Sequence, residues 1–242
     1  VLDRVARGDA LLGGVAAGAQ AAWQDAHNPR FLEHEKAAHE QALRARKLAF
    51  EGVPVAGGVA VYDNDPLEAG RKLFVEHCAQ CHRLGRLGPP EAEQKGPVLT
   101  AAWSRPWLTE FLQAPSSSKF FGKTKLADGM KAVALPPAEM ADLVEYVTSL
   151  GGGAIDAAKV KRGAFLFEDK NCDLCHERDG KTTGQGPNLQ GYGSAPWLRR
   201  MIEAPGAALH YGEKNDMPAF GKKLTAVELE RLVLFLSAER LR

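Results

Sequence analysis

Three features of the chain predict an all-α fold made of two tandem modules behind a helical N-terminal segment. Apolar residues recur at helical spacing at the close of each half, and strand-like alternation is nearly absent. The second half also repeats the landmarks of the first about 90 residues later. Pro136-Pro137-Ala138-Glu139 opens one closing helix, with Met140, Leu143, Val144 and Val147 on one face. Thr225-Ala226-Val227-Glu228 opens the other as a capping box, followed by Leu229, Leu232, Val233 and Leu236 at the same period.

The repeat keeps its order throughout. Gly70-Arg71-Lys72-Leu73-Phe74 answers to Gly163-Ala164-Phe165-Leu166-Phe167, and Gly96-Pro97-Val98-Leu99 to Gly186-Pro187-Asn188-Leu189. Ser104-Arg105-Pro106-Trp107-Leu108 answers to Ser194-Ala195-Pro196-Trp197-Leu198, Ala114-Pro115 to Ala204-Pro205, and Gly122 to Gly212. Small drifts in the offset are what loop insertions produce. Gly151-Gly152-Gly153 is the natural linker, so the modules are expected at 63–152 and 153–242.

Residues 1–62 carry no cysteine and no copy of the repeat. Asn28-Pro29 reads as the cap and first turn of a charged helix that runs to about Glu51, where Gly52, Pro54, Gly57 and Gly58 stop it. The stretch Ala10–Trp23 is small and apolar and suits a buried or membrane-surface helix. A signal-peptide core has that length too, but Asp3 and Asp9 oppose a basic start. The first residue is Val, as expected of a processed or cut chain.

Hydrophobic residues make up 45% and charged residues 25% of the 242, the balance of a globular protein rather than a disordered one. Lys and Arg total 31 against 30 Asp and Glu, which argues against nucleic acid as the main partner. No run of 18 apolar residues offers a membrane span.

The four cysteines fall in two identical patterns, Cys78-Ala79-Gln80-Cys81-His82 and Cys172-Asp173-Leu174-Cys175-His176. Structural zinc would want a second Cys or His pair for each, and a redox dithiol would not take a following His twice. Cys-x-x-Cys-His reads as covalent haem c attachment. Two thiols one helical turn apart can each add to a vinyl group on one porphyrin edge, and the next residue then offers its imidazole to the iron. The chain is thus expected to hold two haem c groups, attached through Cys78 and Cys81 and through Cys172 and Cys175, with His82 and His176 as iron ligands. Attachment of this kind takes place outside the cytoplasm, so the periplasmic side of the cytoplasmic membrane is the expected location.

With these motifs, residues 63–242 resemble two class I cytochrome c modules. The family implies that the first helix of each module crosses the closing helix, Gly70 and Gly163 allowing close approach and Tyr146 and Phe235 supplying the aromatic partner. It also implies a methionine on the far side of the iron. Asp216-Met217-Pro218 looks like the family's ligand loop, which makes Met217 the ligand of the second haem; His210 is a minor rival, and Met201 is read as core. Aligning the closing helices sets Met130 opposite Met217 as ligand of the first haem, with Met140 as a rival inside an amphipathic helix. By the same resemblance the carbonyls of Pro97 and Pro187 would accept the proximal imidazole N–H. Pro97 stands four residues farther from its histidine, which marks an insertion. Trp107 and Trp197 resemble the family's haem-lining Trp, which can reach a propionate.

The stretch 42–66 is similar to the join between b-type membrane subunits and fused cytochrome c domains in bacterial quinol-oxidising bc-type complexes. That resemblance implies an electron carrier, not itself an enzyme, fed by a cytochrome b-type or other membrane redox subunit and emptied by a soluble cytochrome or oxidase. The rivals are the cytochrome subunit of a periplasmic dehydrogenase and a dihaem enzyme such as a peroxidase or thiosulfate-oxidising cytochrome, which would need an open or Cys-ligated iron.

Overall fold

The structure, a computed structural model, describes residues 20, 23–50 and 52–239, so the stretch read at Ala10–Trp23 lies almost wholly outside the described residues. The chain divides into two units, residues 1–65 and 66–242. In the first, Asn28 accepts hydrogen bonds from the backbone N–H of Arg30 (3.0 Å) and Phe31 (3.5 Å) and starts α1, Pro29–Ala49. This helix buries none of its residues. Arg44 on α1 pairs with Asp65, and a short α2, Gly58–Asp63, lies between.

The second unit holds α3 (Pro66–His77), α4 (Arg105–Gln113), α5 (Pro137–Leu150), α6 (Ala157–Asp169), α7 (Ala195–Glu203) and α8 (Ala226–Glu239), with 3-10 turns at Cys172–Leu174 and Gly212–Lys214. Among the described residues there is no β-strand, only an isolated bridge between Leu84 and Leu87 in the insertion. The helix starts follow the repeated chemistry. Ser104 and Ser194 cap α4 and α7 by accepting from the N–H of Trp107 (3.3 Å) and Trp197 (3.4 Å), each followed by Pro in the first turn. Thr225 and Glu228 form the reciprocal capping box of α8.

The helix crossings differ from the expected ones. The first helix of each copy packs on the closing helix of the other copy, α3 on α8 and α6 on α5. A Cβ at Gly70 would stand 2.6 Å from Cβ of Phe235 and closer still to the carbonyl of Arg231. One at Gly163 would stand 2.7 Å from Cβ of Tyr146, again pressed on a carbonyl, that of Asp142. Phe74 then meets Phe235 at 6.0 Å between ring centres, and Phe167 meets Tyr146 at 5.3 Å. The glycines and aromatics play the roles the family implies, but with exchanged partners.

The linker explains the exchange. The loop 151–156 is short, and short loops make antiparallel neighbours of consecutive helices. Arg105 clasps it by donating to both oxygens of Glu145 (2.6 and 2.8 Å) and to the carbonyl of Ala154 (2.8 Å). Glu145 also accepts from the N–H of Asp156 (2.8 Å), and Asp156 caps α6. Arg162 and Asp142 bridge α6 and α5 at 2.6 and 2.7 Å. Once α6 occupies α5, the face of α8 is left for α3. One apolar core, from Phe74 and Trp107 through Leu143 to Trp197 and Leu232, runs through both copies.

Candidate functional site

Each Cys-x-x-Cys-His segment turns directly off the end of a glycine-bearing helix. The N–H of His82 donates to the carbonyl of Cys78, and that of His176 to Cys172, both at 2.9 Å, so cysteine and histidine share one turn in both copies. No disulfide joins any of the four cysteines. Burial pushes the Cys78 thiol up to about 12 and raises that of Cys172 as well. Among the described residues no three His, Cys, Asp or Glu side chains assemble as a metal cage. Two cysteines and a histidine on one turn suit thioether attachment with the imidazole beside it.

The two imidazoles are held alike. Nδ1 of His82 lies 2.8 Å from the carbonyl of Pro97, and Nδ1 of His176 lies 2.9 Å from that of Pro187. Burial lowers the pKa of both rings, so each is neutral, donates from Nδ1 and keeps Nε2 as a lone-pair donor for a metal. The insertion after His82 does not disturb this. Its Leu84–Leu87 bridge folds it back, and the N–H of Gly96 donates to the Cys81 carbonyl, as Gly186 does to Cys175. The glycine before each proline has a function the sequence did not reveal. A Cβ at Gly96 would stand 2.6 Å from Cε1 of His82, and one at Gly186 2.5 Å from Cε1 of His176.

A cavity of about 440 Å³ opens beside His82, with Phe74, Cys78, Trp197, Leu236 and Met217 among its lining. The expected partner of His82 was Met130, but Met130 does not line this cavity, whereas Met217 does. The physical reason is the crossing. The loop that precedes α8 travels with α8 onto α3, and α3 leads into His82. Met217 is fixed there by Asn215, whose side chain accepts from its N–H (3.0 Å) and donates to its carbonyl (2.5 Å). Met201 also lines the cavity, from α7, instead of serving only as core. Met140 is 2% exposed inside α5 and is core. Met130 is half-buried against the apolar core in the loop before α5, and α5 carries the helix that ends at Cys172–His176.

The two tryptophans diverge. The indole N–H of Trp107 donates to the carbonyl of Val98 at 3.0 Å and so is not available to a propionate, contrary to the role the resemblance implied for it. Nε1 of Trp197 is buried with no hydrogen-bond partner, and so is Nδ1 of the adjacent His210, which stands in the second copy where Phe120 stands in the first. A buried N–H that lacks an acceptor fits a carboxylate brought in by a bound group. Together with the neutral imidazole, the thioether and the paired thiols, this makes the donor set fit a covalently attached haem.

The comparisons agree. Residues 67–151 match the cytochrome c family, and residues 158–236 match the family of cbb3-type cytochrome c oxidase subunit III. The cbb3-type cytochrome c oxidase subunit CcoP of Azospirillum sp. (strain B510) is 27% identical over 191 residues, 70% of this chain and 61% of that protein. CcoP of Cereibacter sphaeroides is 27% identical over 183 residues (69% and 59%), and the FixP subunit of Azorhizobium caulinodans 26% over 174 (69% and 57%). The chain spans about three-fifths of the length of the curated relatives it matches. These relatives belong to oxidases, not to the quinol-oxidising bc-type complexes that residues 42–66 suggested. No solved structure matches the chain. The chain thus carries two cytochrome c domains in tandem, which imply two covalent haem c groups, and it is similar to dihaem class I c-type cytochromes.

Proposed function

We propose that this chain delivers electrons to a membrane-bound terminal oxidase of the cbb3 type, on the periplasmic side, and that each of its two iron sites is completed by both copies of the repeat. His82 would pair with Met217 and His176 with Met130. The observation that carries the pairing is that His82 and Met217 line one apolar cavity. The matching crossing of α6 on α5 supports the second pair.

Haem c supplies a one-electron couple that needs no open coordination position. The chain's residues prepare that couple. Pro97 and Pro187 hold the imidazole N–H and fix ring orientation. Met217 and Met130 would each offer the group a thioether, which would favour the ferrous state and raise the potential over a second histidine. Phe74, Trp197 and Leu236 would keep water out of the site, and Trp197 would donate to a carboxylate of the bound group. The likeness to oxidase subunits supports the oxidase as acceptor in place of a bc-type complex as donor. Among the described residues no helix is long and apolar enough to cross a membrane, so association with the complex would rest on surfaces or on segments outside them.

The test mixes the reduced holoprotein with membranes that contain a cbb3-type oxidase and follows haem oxidation by stopped flow. Oxygen-dependent reoxidation that is blocked by cyanide is expected. Binding of CO by the untreated reduced protein, or turnover of peroxide by the protein alone, would contradict the carrier reading.

A further inference from the structure

Trp103 has a backbone angle of φ +62, in the left-handed region where a bulky side chain is strained. Its counterpart in the second copy is Gly193, with φ +75 in the same conformation and without that strain. Strain of this kind persists where surrounding contacts enforce it, and it concentrates at functional positions. Here the contacts come from the other copy. A Cβ on Gly193 would stand 2.6 Å from Cγ of Trp103, so the indole rests on its own repeat partner.

Residues that occupy equivalent positions in two copies and touch each other lie on the axis that relates the copies. Trp103 and Gly193 do so, and so do Phe121 and Tyr211, whose ring centres are 5.7 Å apart. The Trp103 ring is equally distant, 6.2 Å, from Trp107 of the first copy and from Trp197 of the second. It also lines the cavity of His82 and Met217. One indole thus sits on the axis between the two copies of the repeat, against the His82 cavity.

We propose that Trp103 is the bridging residue of electron transfer between the two haem sites. One electron leaves one iron, which is oxidised, and arrives at the other, which is reduced; no bond forms or breaks and no proton moves. The indole stays in its resting state and supplies packed aromatic contacts on the axis, where a gap would attenuate electronic coupling. Gly193 is its positioning residue, because any side chain there would displace the ring. The inference rests on the two-haem reading but not on the methionine pairing, since the axis is defined by repeat partners alone.

The test uses the holoprotein carrying Trp103→Leu or Trp103→Phe. At half reduction, exchange broadening of the haem methyl NMR signals reports the inter-haem rate within one molecule. Spectroelectrochemical titration reports both potentials, and near-UV circular dichroism reports aromatic packing. The expected result is an inter-haem rate slowed roughly tenfold in the Leu variant and less in the Phe variant, a loss larger than any accompanying shift of the two potentials accounts for. Gly193→Ala should slow exchange while Trp103 is still present. An unchanged rate in Trp103→Leu would overturn the proposal, because the sites would then couple without the indole. A rate that falls only as the potentials shift would also overturn it, because Trp103 would then be a packing residue. A single bound haem in the wild type would instead sink the two-haem reading itself.

Discussion

Gly70→Ala separates the crossed arrangement from a within-copy one. The added Cβ would lie 2.6 Å from Cβ of Phe235, where real Cβ contacts stay beyond 3.0 Å, and would press harder still on the carbonyl of Arg231. A helix carbonyl cannot rotate aside, so α3 and α8 must part. Overpacking of this kind costs about 1–3 kcal/mol, set against about 0.5–1 kcal/mol gained by Ala over Gly in a helix. With backbone as the obstacle, the net loss falls near 2 kcal/mol, a drop in melting temperature of roughly 4–8 °C for a unit of this size. The informative readout is which haem responds. α3 leads into His82 and α8 follows Met217, so under crossed pairing both disturbances converge on one haem. Potentials and the Fe–S(Met) charge-transfer band should change for that haem alone. If both haems changed equally, the helices would be serving different irons and the reasoning would fail. No loss of stability would show that the two helices are not in contact.

Other predictions follow from single side chains. Glu145, held down to about 2 by the Arg105 guanidinium, contributes stability that is present above about 4.5 and is lost as pH falls towards 2. Glu145→Gln should therefore melt lower at neutral pH and lose that acid transition in a pH series of thermal melts. Trp197→Phe removes the buried donor that has no protein partner, and should lower the potential of the haem it serves. Trp107→Phe instead strands the Val98 carbonyl, and should cost about 1–3 kcal/mol in denaturant titration with both potentials intact. Met140→Ala should cost about 2–5 kcal/mol as a core truncation, with both charge-transfer bands retained. Met130→Ala should remove the band of the haem attached at Cys172 and Cys175.

Much of this architecture is legible in the residues. The closing helices, the Ser and Thr caps and the attachment turns are local, and each is written in a few adjacent positions such as Ser104-Arg105-Pro106 or Cys78 to His82. The exchange of helices is not. Gly70 fits Tyr146 as well as it fits Phe235, because both closing helices carry the same apolar period, and periodicity does not say which copy supplies the partner. The one local hint is the short loop 151–156, which makes α5 and α6 neighbours before any other contact forms. The proposed methionine pairing rests on that exchange, whereas reading each copy as self-contained pairs His82 with Met130. The divergence of Trp107 from Trp197 was equally hidden, since it depends on whether the Val98 carbonyl comes within reach of an indole N–H.

The central claim, that each iron takes its histidine from one copy and its methionine from the other, is tested most directly by NOE spectroscopy of the reduced holoprotein with methyl-labelled methionine. Met217→Leu and Met130→Leu samples assign the two ligand methyls. Cross-peaks are expected from the Met217 methyl to the haem whose thioethers join Cys78 and Cys81, and from the Met130 methyl to the haem joined at Cys172 and Cys175. Cross-peaks from Met217 to the haem at Cys172 and Cys175 would contradict it.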